Sequence, residues 1–545
     1  MKISHGPLNF DYDGGALRRI CLGEVEVIRG IAYLVRDRDW GTLVPQIGGE
    51  VIEPTRISYQ ARFVCQGAAL VVAVVIDFAE GLQFSAHAQA EGDFETNRAG
   101  FTVLHPITGV AGAPVAVEHC DGTRRDAQFP LLIEPWQPFQ DLRALTHRLG
   151  GWQVRCQMEG DAFEMEDQRQ WGDASYKTYV RPLARPWPYQ IADGAGFDQA
   201  VRLSWQGTEG GETTLPRTTA NGIFPQTALV ITAEEARRAV ERPGDLAMIK
   251  PQRLLCHFDA TRHGLAELQA FSVLQASYEA MYDLELIARC DADLDTEFSA
   301  HAKDLTASGL QVASILICPS VDRQSTPPGS DWPPCPPLAE VYLAARKAFP
   351  GISLGGGMVS FFPELNRKRP PVAGLDFVSH GLCPIVHDAS DQGVMQTLEA
   401  VSHITASARA IIGGKAYRLG PSTIAMRQNP YGTRVIPNPD GVQVCMTDDD
   451  PRHRTVFGAA YALGLAAALV GSGVEVWTPA GLYGPRGMMD WNGRAYPLAR
   501  VLAELAARAG ERVDADLRPG LSARLQFAGA EMTTNLASYV RTELA

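Results

Sequence analysis

The sequence predicts an α/β plus all-β protein: an N-terminal antiparallel β-sandwich over 1–245, a TIM-type (β/α)8 barrel over 246–508, and a short C-terminal β-strand segment over 509–545. Three observations predict it. Short β-rich runs separated by Gly, Asp and Pro turns fill the chain up to Ile231. Apolar strands then alternate with helical segments as far as YPLARVLAELAARAG, and strand-like alternation returns after that helix.

The first region contains EVEVIRGIAYLVR, TRISYQARFVC, ALVVAVVIDFA and LQFSAHAQAEG, the last alternating with the strand period of two. Such runs with few helical stretches read as a two-sheet antiparallel sandwich. Near Thr232 the pattern changes. TAEEARRAVERPG reads as a helix with a Thr cap ahead of Glu residues, and the Pro-Gly after it reads as a domain junction.

Seven strands follow: RLLCHFD (253–259), YDLELIAR (282–289), QVASILICP (311–319), GISLGGG (351–357), LDFVSHGL (375–382), AYRLGPSTI (416–424) and VEVWTPA (474–480). Helical segments lie between them, and strand–helix alternation of this length is the pattern of a barrel. An eighth strand is not evident. An open doubly wound sheet is the alternative, but it lacks a GxGxxG fingerprint. The final stretch, GLSARLQFAGAEMTTNLASYVRTELA, reads as a hairpin, packed on the sandwich or forming a small β-unit of its own.

A chain of 545 residues exceeds one core and calls for two or three domains. The net charge of −13 argues against nucleic acid or an anionic membrane as partner and suits a small neutral or weakly charged substrate. The beginning of the chain has no apolar signal-peptide core, and the most apolar run, Ala459–Val470, is too short to span a bilayer. Ten cysteines without a CxxC point to a reducing, cytoplasmic setting and away from a cysteine-built zinc site. The histidines at 105, 119 and 147 match no zinc spacing, so neither a metal nor another cofactor is expected. Homo-oligomerisation is left open. GxxxxGK[ST] is absent.

In a barrel of this type, reactive groups project from the C-terminal ends of the strands. That rule selects His257 and Asp259 from RLLCHFD, and Glu285, turned inward between outward leucines, from YDLELIAR. An inward carboxylate is costly unless hydrogen-bonded or functional, and the plainer reading is a structural ion pair with an Arg. MVSFFPELNRKRPP, read as a loop beyond a glycine-rich strand end where a ligand approaches the backbone, contributes Glu364 and Asn366; its plainer reading is a solvated basic loop. His380 and His387 follow from the next strand, then Tyr417, Arg418, Arg427 and Asn429. A lone histidine is more often structural, whereas polar groups at the ends of successive strands form a candidate pocket.

The densest part of the chain lies upstream of the barrel. FEMEDQRQWGDASYKTYVRPLARPWPY (163–189) concentrates acids, cations and aromatics, which predicts a paired polar network joining the domains or walling the pocket.

This block, with AGFTVLHPITGVAGAPVAVEHCDG (99–122), FPELNRKRPP (362–371) and YRLGPSTIAMRQNPYG (417–432), resembles the D-apionate lactonase family over nearly the whole chain. The resemblance implies a β-rich N-terminal domain, a TIM-like middle domain and a C-terminal β domain. It also implies opening of a sugar-acid lactone, D-apionolactone or a relative, during bacterial use of D-apiose. Ester hydrolysis on a polyhydroxylated ring needs a base for water, donors for the oxyanion and an acid for the leaving hydroxyl. Glu364 or Glu285 suits the base, with the other as acid, and His257, His380 or His387 suits a proton shuttle. Tyr417, Arg418, Arg427, Asn366 and Asn429 suit ring hydroxyls and developing charge. The competing expectation is a glycoside hydrolase using two carboxylates on the same face. A third is a carbohydrate-binding protein without chemistry.

Overall fold

The computed structural model describes residues 1–207, 216–326, 331–429 and 436–540. The chain forms two compact units, Met1–Gln168 with Ala174–Leu215, and Arg169–Asp173 with Pro216–Ala545.

The first unit is an antiparallel sandwich of a seven-stranded and a nine-stranded sheet, with a two-stranded ribbon beside them. Strand Leu82–Glu91 shows why the sequence folds this way. Leu82, Phe84, Ala86, Ala88 and Ala90 are buried while the residues between them face outward, so one face of the strand enters the core. Both sheets supply that core: Phe84 meets Phe101 edge-on at 4.9 Å, and Phe101 meets Tyr33 at 5.4 Å.

The second unit holds a closed parallel barrel of eight strands: β1 Gln226–Ile231, β2 Arg253–Asp259, β3 Met281–Ala288, β4 Ser314–Pro319, β5 Ser353–Phe361, β6 Phe377–Gly381, β7 Ala416–Leu419 and β8 Val474–Tyr483. Closure comes from pairing of β8 with β1. Strand β1 is the eighth strand that sequence reading did not resolve. It lies within 1–245, the range given to the sandwich, and the unit containing the barrel starts at Pro216 rather than 246. QTALVI is a short apolar run, which a buried parallel strand and a sandwich strand share, so periodicity alone cannot separate them.

Strand β5 runs further than GISLGGG. It continues to Phe361 and passes directly into helix Phe362–Lys368, with Pro363 in the first turn. The segment read as a basic loop is therefore strand and helix. Its glycines serve packing rather than ligand approach: a Cβ at Gly355 would lie 2.1 Å from the Phe377 ring, and one at Gly357, where φ is +105°, would lie 2.1 Å from the Ser379 carbonyl oxygen.

Helix Val456–Leu469 is buried from Phe457 to its end, as its uniformly apolar sequence requires. Among the described residues no helix is long and apolar enough to cross a membrane. The C-terminal strands Arg512–Arg518, Ser522–Phe527 and Ala530–Asn535 form a small sheet whose fourth strand, Thr218–Ile223, precedes the barrel. The unit thus pairs strands from before and after the barrel, where a single hairpin was expected. Residues 430–432, the end of one family motif, and 541–545 lie outside the described residues.

Candidate active site

A cleft of about 910 Å³ opens at the C-terminal ends of the barrel strands. Val230 comes from β1, His257 and Asp259 from β2, Arg427 and Asn429 from beyond β7, and Tyr483 from the end of β8. This is the face on which barrels of this type carry their chemistry.

The parallel register of β2 and β3 sets His257 beside Glu285. His257 Nδ1 lies 2.7 Å from Glu285 Oε1, and Arg427 Nη2 donates to the same oxygen. Glu285 is 1% exposed, whereas the His257 side chain retains 20% of its surface and lines the cleft. Burial pushes the Glu285 carboxyl up, but the Arg427 charge and the His257 hydrogen bond outweigh it and hold the group down at about 2. An ionised carboxylate can only accept, so the imidazole Nδ1 carries the proton and Nε2 is left as the basic nitrogen of the neutral ring. Among the described residues Glu285 Oε2 and Arg427 Nη1 are buried without a hydrogen-bond partner.

Around this trio the cleft is built from groups held in place by their own partners. Asp259 accepts from Arg323 Nη1 at 2.7 Å and from the Thr261 amide and hydroxyl. Burial raises its carboxyl, yet the Thr261 bonds and the Arg323 charge bring it below the ordinary value. Glu235 is buried, accepts from the amides of Thr232, Leu482 and Tyr483, and has its carboxyl raised by burial. It closes a capping box with Thr232 at helix Ala233–Glu241 and ties that helix to the end of β8. The Tyr483 ring stacks on Trp491 with centroids 5.4 Å apart and planes 20° apart, and its hydroxyl donates to Asp245 at 2.8 Å. Both rings line the cleft, with Trp491 39% exposed.

Of the residues selected from the sequence, His257, Asp259, Arg427 and Asn429 line the cleft, and Glu285 lies directly behind His257. The others go elsewhere. Glu364 is buried on helix Phe362–Lys368, accepts from Ser360 Oγ at 3.2 Å, and does not line the cleft; nor does the buried Asn366. Burial raises the Glu364 carboxyl, partly offset by a Ser325 hydrogen bond and the Arg367 charge. His380 is fully enclosed, bonded through Nδ1 to the Gly381 carbonyl and through Nε2 to Tyr417 Oη, and burial lowers it to about 4. Both it and Tyr417 are core groups. His387 pairs with Asp173 at 2.7 Å. Arg418 sits at the opposite end of the barrel, bonded to Ser314 Oγ at 2.8 Å and near Asp283, which Arg253 holds through two bonds of 2.6 and 2.7 Å.

Sequence reading passed over Glu235, Arg323, Tyr483, Arg486 and Trp491. Glu235 went unseen because β1 did. The other signal was present in GLYGPRGMMDW, a glycine- and aromatic-rich run immediately after the last strand, at the reactive end. The 163–189 block does form a paired network: Tyr179 donates to Glu164 at 2.7 Å, Lys177 pairs with Glu166 at 2.8 Å, and the Arg98 guanidinium lies 3.8 Å from the Tyr179 ring centroid. Its residues Arg169–Asp173 belong with the barrel unit, where Trp171 meets His387 edge-on. Those five residues do not line the cleft.

Comparison with known proteins agrees along the chain. Residues 1–208 match the D-apionate lactonase N-terminal domain, and residues 227–510 match the D-apionate lactonase TIM barrel domain. A D-apionate lactonase of Brucella anthropi is 46% identical over 537 residues, covering 93% of this chain and 88% of that protein. Solved structures align loosely: a β-glucuronidase from Ruminococcus gnavus at 9% identity and TM-score 0.34, covering 82% of this chain and 67% of that one, and HI1317 at 8% and 0.25, covering 37% and 91%. With residues 1–208 and 227–510 matched and 46% identity to a relative of which 88% is covered, the chain belongs to the D-apionate lactonase family.

Proposed function

We propose that this protein hydrolyses the lactone of a branched sugar acid, D-apionolactone or a close relative, to the open aldonate. His257 is the base that activates water, and Glu285 is the residue that positions it. The observation that carries this reading is the Arg427–Glu285–His257 chain, which ends at an imidazole lining the cleft. Family membership supplies the substrate class.

Water held at Nε2 attacks the lactone carbonyl carbon, and its proton passes to that nitrogen. The carbonyl oxygen takes the electron pair as an oxyanion, which faces a cationic wall that includes Arg427. Collapse of the tetrahedral carbon breaks the bond to the ring oxygen, the imidazolium returns its proton to the departing alkoxide, and the new carboxylic acid loses its own proton to solvent to give the aldonate. Glu285 stays ionised throughout, fixing the tautomer and stabilising the imidazolium. The Tyr483–Trp491 pair offers a flat face for the C–H side of a sugar ring. Ten free cysteines are compatible with a reducing cytoplasm, where D-apiose use takes place in this reading.

A glycosidase needs two carboxylates free to act on one bond. Asp259 is committed to Arg323 and Thr261, Glu235 to three amides, and Glu285 behind the cleft to His257 and Arg427, which leaves the exposed Glu234 as a single uncommitted carboxylate among the described cleft residues. The lactonase reading therefore takes precedence.

The test is pH-stat hydrolysis of D-apionolactone, a panel of other aldonolactones and aryl glycosides by wild-type protein and His257→Gln. Lactone turnover by the wild type, reduced about 10²- to 10⁴-fold in the variant, is the expected result. Glycoside turnover without lactone turnover, or full lactone turnover by the variant, overturns the reading.

A further inference from the structure

We infer that Arg486, with the Arg427 charge close by, forms an anion subsite in the cleft that binds the carboxylate of a free hydroxy acid, so that the ring-opened aldonate is a ligand in its own right. The inference rests on the lactonase reading for the identity of the acid, but not for the existence of the subsite.

Both arginines line the same cleft. They are not equally committed. Arg427 spends Nη2 on Glu285 and keeps Nη1 buried without a partner among the described residues. Arg486 donates through Nη1 to the Asp448 carbonyl oxygen at 2.8 Å, and forms no ion pair among the described residues. A guanidinium carries five donors in a planar fork, so one backbone carbonyl leaves most of the Arg486 donors unused. The two cations also feel one another: burial lowers Arg486, and the Arg427 charge lowers it further. Two like charges on the wall of one cleft are relieved by an anion bound beside them.

A lactone is neutral, and its carbonyl offers these groups only partial charge. The aldonate produced from it carries a full carboxylate, whose two oxygens match a guanidinium fork. The groups that stabilise the oxyanion on the way to product thus retain the product once it has formed. The consequence is competitive inhibition by the aldonate, strongest at low ionic strength, and a demand for whatever reaction next consumes a free hydroxy acid.

Isothermal titration of the full-length protein with sodium D-apionate decides this, with the corresponding carboxylate-free branched alditol as control. The wild type is expected to bind the aldonate at least about tenfold more tightly than the alditol, and Arg486→Gln to lose about tenfold or more of the aldonate affinity while alditol binding stays unchanged. Arg486→Lys, which keeps the charge without the fork, should fall between the two. Equal binding of aldonate and alditol by the wild type, or unchanged aldonate affinity in a folded Arg486→Gln, overturns the subsite. Should Arg486→Gln fail to fold, the wild-type comparison alone decides. Binding is read without turnover, so a protein that binds D-apionate through Arg486 but hydrolyses no lactone would keep the subsite and lose the hydrolytic reading.

Discussion

His257 and Glu285 occupy paired positions on neighbouring barrel strands and share a 2.7 Å hydrogen bond. The carboxylate is sealed in the barrel interior while the imidazole reaches the cleft. Charge is thereby stored where water cannot screen it, behind a group that can exchange a proton with a ligand.

This arrangement separates two effects of changing Glu285. Glu285→Gln removes the charge that stabilises the imidazolium, so kcat should fall about 10²- to 10⁴-fold with KM changed only a few-fold. It also leaves Arg427 with a buried unpaired charge, which should cost on the order of 3 kcal/mol of stability. Adding Arg427→Met should recover stability without recovering turnover. Denaturant melts run beside steady-state kinetics check this; because Arg427 also faces the oxyanion, the double variant is compared with Arg427→Met alone, and equal kcat in those two would mean that Glu285 acts only through the fold.

Glu364 should behave in the opposite way. Its carboxyl is raised by burial, lies on helix Phe362–Lys368 and stays out of the cleft. Gln keeps the shape of the side chain and can still accept from Ser360 Oγ, so Glu364→Gln should leave kcat/KM within a few-fold of wild type and shift Tm little. A loss comparable to that of Glu285→Gln, in a folded protein, would return Glu364 to the chemistry.

The contrast between these two glutamates marks how far the sequence could be read. Strand period and the inward turn of Glu285 were legible in YDLELIAR because alternation is local. The partnership of His257, Glu285 and Arg427 depends on register and on a segment more than a hundred residues away, which no local pattern encodes. Glu364 looked exposed because NRKR follows it, yet Pro363 starts a helix there and draws the carboxylate inward. Arg418 was misplaced for a related reason. β7 spans only Ala416–Leu419, so its third residue still lies near the barrel's entry end, beside Ser314 and Asp283.

That placement is testable. Asp283 accepts from Arg253 twice and from Ser314, with Arg418 3.5 Å away, so Asp283→Ala strands two buried guanidinium groups at the end remote from the cleft. It should lower stability by about 3–5 kcal/mol and leave kcat and KM of the folded fraction unchanged. A selective rise in KM at undiminished stability would contradict the assignment of Arg418 to the barrel base.

The sandwich carries a pH-dependent cost of its own. His147 is buried with neither ring nitrogen partnered among the described residues, beside Phe129 at 5.5 Å, and burial lowers it from 6.5 to about 4. A folded-state value below the unfolded one means that the unfolded chain binds the proton first. Stability is therefore complete above pH 6.5 and drains away as pH falls from 6.5 through 4, by roughly 3 kcal/mol for this one group. His147→Leu deletes the titrating ring and two unsatisfied polar atoms together. Its Tm should match or exceed wild type at pH 7, and the gap should widen in its favour toward pH 4.5. Parallel Tm–pH curves for the two proteins would show that His147 takes up its proton equally in the folded and unfolded states, against the burial that holds it neutral.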